Sequence, residues 1–169
     1  MIQLFNHNGL IHTMEENQQP VFKIEKLYVK DLSLEVPNAP AVFMEQTNPA
    51  VGVELGTQAA AVGEGFFEVT LKVTVTAKIE EGDKTLFLVE VAQAGVFQLR
   101  NVPQQDIEAI LMIGCANILF PYAREAVSDA TIRAGFQPVM LAPVNFEALF
   151  AARQEELAQQ QPKIEVPIQ

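Results

Sequence analysis

Alternation of apolar and polar residues predicts two neighbouring β-strands in the middle of the chain. Over residues 66–80 the odd-numbered positions are apolar, and the even-numbered ones after the first are Glu, Thr or Lys. After a short hairpin turn at residues 81–83, residues 84–99 form the return strand. Leu88 and Glu90 of this strand are predicted on its solvated face. Its inward face is predicted to carry Phe87, Val89, Val91, Phe97 and Leu99. This pattern is typical of an antiparallel sheet covered on one face only.

A third strand is predicted over residues 21–36. Asp31 and Glu35 are four positions apart, so a regular strand directs both carboxylates outward. The inward set of this strand is Phe22, Ile24, Tyr28, Leu32, Leu34 and Val36. Between this strand and the next, residues 41–65 are interrupted by Pro and Gly and alternate only briefly. They are predicted to be a long irregular connection, a feature that is often functional.

Two helices are predicted in the second half of the chain. Residues 103–135 begin with Pro and end with Gly, and are apolar on more than one face. A helix on a sheet needs only one apolar stripe, so the surplus surface is expected to meet another subunit. Pro121 is expected to break or kink this helix. Asn145 is predicted to cap a second helix over residues 146–160.

The length of 169 residues indicates one domain, residues 21–158, between mobile tails at 1–20 and 159–169. With the predicted strands and helices this domain is α+β. The N-terminus lacks the pattern of a signal peptide, and no apolar run approaches the length of a membrane span. Cys115 is the single cysteine, which fits a reducing, cytoplasmic location. The formal net charge of -10 opposes binding to nucleic acid or anionic lipid, and favours cationic partners.

Residue types needed for catalysis or metal binding do not come together in the sequence. Both histidines lie in the predicted N-terminal tail, and one cysteine cannot form a thiolate metal site. Cys115, between Gly114 and Ala116, is interpreted as a small packing residue. We therefore expect no enzyme activity, no catalytic residue, no metal site and no cofactor.

Three motifs resemble the SecB family of protein-export chaperones. They are DLSLEVPNAP at residues 31–40, NILFPYARE at 117–125 and LAPVNFEALF at 141–150. Their order and spacing match the family, as does the strand over residues 66–80, and the resemblance covers roughly residues 22–150.

The resemblance implies a four-stranded antiparallel sheet with helices on one face, assembled as a homotetramer that is a dimer of dimers. It implies an ATP-independent holdase that keeps precursor proteins unfolded and delivers them to the SecA motor. The family's SecA-binding residues match Asp31, Glu35, Leu88 and Glu90. Two alternatives remain open: a chaperone dedicated to a toxin–antitoxin pair, and a small-molecule-binding α+β domain.

A holdase needs a long apolar groove for extended segments of its clients. The candidate lining consists of Phe43, Met44, Val139, Met140, Leu141, Phe146, Leu149 and Phe150. Phe146, Leu149 and Phe150 recur at helical spacing, which also fits a role in the core. Phe43, Met44 and Met140 are the members expected to be exposed.

Overall fold

A four-stranded antiparallel sheet forms one layer of the protein, which confirms the predicted fold class. The computed structural model describes residues 19–45, 48–79 and 84–160. The strands lie in the order β1-β4-β3-β2. Their bounds are Val21–Glu35 (β1), Ala50–Gly63 (β2), Phe66–Ile79 (β3) and Lys84–Arg100 (β4). The predicted turn at residues 81–83 and most of both predicted tails lie outside the described residues.

Helices cover one face of the sheet, here called the inner face. They are α1 (Gln104–Ala109), α2 (Ala116–Arg133) and α3 (Phe146–Gln160), with a π-helical turn (Ile110–Cys115) that joins α1 to α2. In the core, the odd-numbered side chains of β3 and β4 pack against one side of the continuous helix formed by α1, the π-helical turn and α2. Its fully buried members include Val69, Leu71, Val73, Val75, Val89, Val91, Phe97, Cys115, Leu119 and Val127. None of the described helices lies on the opposite, outer face, as the alternation of β3 predicts.

Strand β1 departs from simple alternation because it contains two β-bulges. Its register with β4 shifts at Glu25 and again at Lys30. Each extra residue exchanges the two faces of the strand, so the two exchanges cancel at its ends. Phe22 is therefore on the inner face as predicted, whereas the prediction for Tyr28 is wrong. Tyr28 lies on the outer face, where its hydroxyl donates a hydrogen bond to Glu68.

The prediction of an irregular connection over residues 41–65 is wrong for most of that range. A short 3-10 helix, Ala41–Met44, is followed by the full strand β2. Strand β2 pairs with β3 along its whole length, with one irregularity near Gly63. Its Gly and Ala residues hide the alternation, because small side chains carry little hydrophobic signal on either face.

The central helix, by which we mean α1, the π-helical turn and α2 together, runs through Pro121 without a break. The predicted break is therefore wrong, and the alternative of a kink at Pro121 stays a prediction. The irregularity lies a turn earlier, in the π-helical segment. At its other end the helix stops at Gly135, whose φ of 86° is in the left-handed region. Its N–H donates to Ile132 O, and that of Phe136 donates to Thr131 O at 3.1 Å. These bonds form a Schellman cap, as glycine at this position predicts.

By length and composition alone, residues 104–133 would also suffice to cross a membrane, with a mean hydropathy of 1.4 in the most apolar window. The sequence-based expectation that no run approaches a span is corrected in this respect. One such helix is weak evidence for a membrane span, since core helices of soluble proteins are often as long and as apolar. In this chain one side of the helix packs on the sheet, with Leu119 fully buried.

Candidate functional site

The outer face brings together the four residues of the predicted acidic site. In the register of β1 with β4, Glu35 lies opposite Leu88, Ser33 opposite Glu90, and Asp31 opposite Ala92. Residues that face each other in an antiparallel pair project on the same side of the sheet. We call Asp31, Glu35, Leu88 and Glu90 the acidic face. Leu88 is half-buried there, with carboxylates on both sides of it.

The carboxylates of the acidic face differ in their partners. Glu90 forms an ion pair with Lys72 of β3, with 3.2 Å between Oε1 and Nζ, and accepts a hydrogen bond from the Thr74 hydroxyl. Within the described part of the chain, neither Asp31 nor Glu35 has an ion pair. Exposed carboxylates without a cation are available to a basic partner, and their attraction is screened by salt.

Next to the acidic face, β1 is tied across β4 to β3. Lys30 Nζ lies 2.7 Å from Oε2 of Glu68, and the hydroxyl of Tyr28 donates to Oε1 of the same carboxylate. The hydrogen bond from Lys30, followed by that from Tyr28, lowers the pKa of Glu68. The hydrogen bond to Glu68 raises the pKa of Tyr28 to about 12, with burial as a second cause. Simple alternation missed this cluster because it assigned Tyr28 to the inner face.

An apolar groove of about 870 Å³ lies on the inner side of the sheet, beside the edge strand β2. It contains four predicted client-binding residues: Phe43, Val139, Met140 and Leu141. Phe43 and Met140 are 49% and 60% exposed, whereas Leu141 is buried in the wall. Sequence reasoning missed the rest of the apolar lining, chiefly Val51, Val53 and Leu55 of β2, Leu86 and Phe87 of β4, and Phe136.

A second groove, of about 380 Å³, contains the predicted residues on α3. Leu149 is 49% exposed, Phe150 is half-buried, and Phe146 belongs to the core. Leu55 lines both grooves, so the two adjoin at β2. Met44 is 87% exposed, but it lines neither groove. Asn145 caps α3 as predicted, with its Oδ1 accepting from Ala148 N at 2.9 Å.

Three aromatic rings in contact line part of the larger groove. The ring of Phe43 lies 5.3 Å from that of Phe136, which in turn lies 4.9 Å from Phe87. Glu45 at the rim is ion-paired with Lys84. A site for a small ligand normally adds convergent polar groups to its apolar walls. Among the described residues of this lining, the polar side chains are those of Glu45 and Gln137 alone, so the groove fits apolar chain segments better than a small ligand.

No arrangement for metal binding is present in the ranges that the structure describes: they contain no group of three or more His, Cys, Asp or Glu residues that could hold an ion. Burial raises the pKa of Cys115 to about 12, so its thiol remains protonated at neutral pH. A protonated, buried thiol is inert, in keeping with a packing role.

An antiparallel four-stranded sheet with helices on one face places the protein in the α+β class. The fold is similar to that of a Mycobacterium tuberculosis SecB-like chaperone solved with a peptide from an antitoxin, with a TM-score of 0.61. The match covers 73% of this chain and 91% of the other at 17% identity, which supports a shared fold.

Sequence comparison identifies the family. Residues 15–166 match the SecB family, described as preprotein translocase subunit SecB. A protein-export protein SecB from Aromatoleum aromaticum is 67% identical over 144 residues, 83% of this chain and 90% of the relative. One from Dechloromonas aromatica is 60% identical over 156 residues, 92% of this chain and 100% of the relative. The chain therefore belongs to the SecB family of protein-export chaperones, which confirms the resemblance.

Proposed function

We propose that this protein is a cytoplasmic, ATP-independent holdase that binds unfolded precursor proteins and delivers them to SecA. The observation that carries the proposal is the separation of two surfaces. The apolar grooves lie on the inner side beside β2, and the acidic face lies on the outer side of β1 and β4. One partner can therefore occupy the grooves while another occupies the acidic face. The dedicated toxin–antitoxin role is not favoured, because the relatives at 54–67% identity are protein-export proteins.

Clients are expected to bind in the grooves through their exposed apolar side chains. Removing one large apolar side chain from water contributes roughly 1.5–3 kcal/mol, so several weak contacts along two adjoining grooves hold an extended segment. Phe43 and Met140 both line the larger groove, one from the 3-10 helix and the other from the segment before α3. Binding of this kind depends on apolar area and tolerates many client sequences.

The client surface is tested with the triple variant Phe43→Ser/Met44→Ser/Met140→Ser and the three single variants. We expect weaker binding of a fluorescently labelled unfolded precursor, with Met44→Ser the weakest single effect because Met44 lies outside both grooves. Val62→Ser, at a similarly exposed apolar residue of β2 outside the groove lining, is the matched control. Unchanged affinity in a folded triple variant would remove these residues from the client site.

SecA is expected to bind the acidic face. Leu88 offers an apolar contact flanked by carboxylates, an arrangement that suits a basic partner with an apolar centre. Each exposed charge contributes modestly, so the surface needs several together. Calorimetric titration with SecA should show salt-dependent weakening for Asp31→Ala, Glu35→Ala and Glu90→Ala. Leu88→Ala should weaken binding with little dependence on salt, because its contact is apolar.

Glu64→Ala is the matched control for these variants. Glu64 is exposed in the turn between β2 and β3, at the end of the sheet where β1 begins and away from Asp31, and its removal changes the net charge equally. Its effect on SecA affinity should be small, and client binding should survive every variant. Full SecA affinity in the Asp31→Ala/Glu90→Ala double variant, or an equal loss in Glu64→Ala, would show that the acidic face is only a solvated surface.

A homotetramer, a dimer of dimers, is proposed for the assembled state. The central helix leaves Tyr122 and Ile132 half exposed, and Ile110, Ile113 and Ile118 only partly buried. The inner-face residues Phe22 and Leu32 of the edge strand β1 are also exposed. Burying such surfaces contributes roughly 25 cal/mol per Å², so an interface of ordinary size would hold the subunits together.

A further inference from the structure

The orientation of Asp31 depends on the bulge at Lys30. Val29 lies opposite Gln93, and Asp31 lies opposite Ala92, so Lys30 is an extra residue without a partner on β4. If Lys30 instead paired regularly with Ala92, Asp31 would lie opposite Val91, whose side chain is fully buried on the inner face. A slip of one residue exchanges the faces, and a carboxylate cannot be buried there without large cost.

Four side chains, from three strands, hold β1 at this bulge. Lys30 and Tyr28 both bind the carboxylate of Glu68, which lies on β3, two strands away from β1. Ala94 of β4 lies directly opposite Tyr28 on the outer face and has no exposed surface. From the inner side, Gln93 Nε2 donates to the carbonyl of Tyr28 at 3.0 Å. An edge strand that pairs only with β4 is thus attached to the centre of the sheet.

We propose that Tyr28, Lys30 and Glu68 form a clamp that maintains the bulge and thereby orients Asp31 and Glu35 toward the partner. They act as positioning residues, and the inference rests on the proposed SecA site. The clamp and a simple effect of charge predict opposite changes in SecA affinity when Lys30 is replaced. Removing the positive charge of Lys30 makes the outer face more negative, which by charge alone strengthens binding of a basic partner. Loss of the clamp weakens binding, because the carboxylates are no longer held in place.

The experiment compares Lys30→Met with Lys72→Met by calorimetric titration with SecA. Both variants remove one cation from the same face, but Lys72 pairs with Glu90 rather than with the clamp. We expect Lys30→Met to weaken binding about threefold, the order found for charged pairs near a surface. Lys72→Met should bind equally or more tightly, since it frees Glu90. Tyr28→Phe, which changes no charge, should weaken binding, and Lys30→Arg should retain it.

A second measurement does not involve SecA. Hydrogen exchange of the amides in residues 31–35 should be faster in Lys30→Met and Tyr28→Phe than in the unaltered protein, and unchanged in Lys72→Met. Equal exchange in all variants, or SecA affinity in Lys30→Met that matches Lys72→Met, would overturn the clamp. If the unaltered protein fails to bind SecA, the proposed function fails, while the exchange rates still decide whether the clamp holds β1.

Discussion

Gly95 of β4 is the position where a single methyl group should disturb the sheet most clearly. It lies on the inner face, opposite Leu27 of β1 and Val69 of β3. A Cβ added there would lie 2.8 Å from Cε2 of Phe97 and 2.9 Å from Cδ2 of Leu27. Real Cβ contacts essentially never come so close, so one of these neighbours must move.

The neighbours differ in how far they can yield. Phe97 is fully buried and packs against the ring of Phe22 at 5.8 Å, so its ring has no free space to enter. Leu27 lies on the edge strand and is only half-buried, so its side chain, and β1 with it, is the part that yields. Overpacking of this kind costs about 1–3 kcal/mol, and the entropic gain of Ala over Gly offsets roughly 0.5–1 kcal/mol of it. The net loss of stability expected for Gly95→Ala is about 1 kcal/mol.

Urea unfolding followed by circular dichroism measures this loss as a lower midpoint with an unchanged slope. Gly56→Ala on β2 is the matched control, because a Cβ there meets nothing within 4 Å and the backbone is not in the left-handed region. That variant should be as stable as the unaltered protein or slightly more so. Equal stability of the two variants would refute the argument that contacts at Gly95 limit the approach of β1.

Two further predictions concern assembly and the clamp. Light scattering at micromolar concentration should report four copies, because the central helix exposes apolar surface; a monomer alone would contradict the proposed assembly. The pKa of Glu68 is lowered in the folded protein, chiefly by Lys30 and then by Tyr28. The ionised carboxylate therefore stabilises the fold at pH values above the pKa that Glu68 has in the unfolded chain. This stabilisation is lost as the pH falls through the lowered pKa of the folded state. Carbon-13 NMR of Tyr28→Phe should show the Glu68 pKa moving up toward its usual 4.5; an unmoved value would show that the tyrosine hydroxyl does not support the carboxylate.

The sequence alone determined the features that depend on neighbours close in the chain. Alternation in β3 assigned every odd-numbered residue from Val69 to Ala77 to the buried face, because side chains in a strand project alternately. Asn145 and Gly135 marked the start and end of helices, since capping involves only a few adjacent residues. Alternation also predicted Asp31 and Glu35 on the outer side with Leu88 and Glu90, which is correct because the two bulges of β1 cancel.

Tertiary structure decided the features that depend on partners far away in the chain. Strand β2 forms because β3 offers it a paired edge, although its Gly and Ala residues show little alternation. Tyr28 faces outward because it lies between the two bulges of β1, where the faces of the strand are exchanged. Alternation in the sequence cannot reveal such an extra residue. The larger groove joins β2, the 3-10 helix and the segment before α3, which meet only in the folded chain. Local propensities act over a few residues, whereas pairing, register and concave surfaces are set by contacts between distant ones.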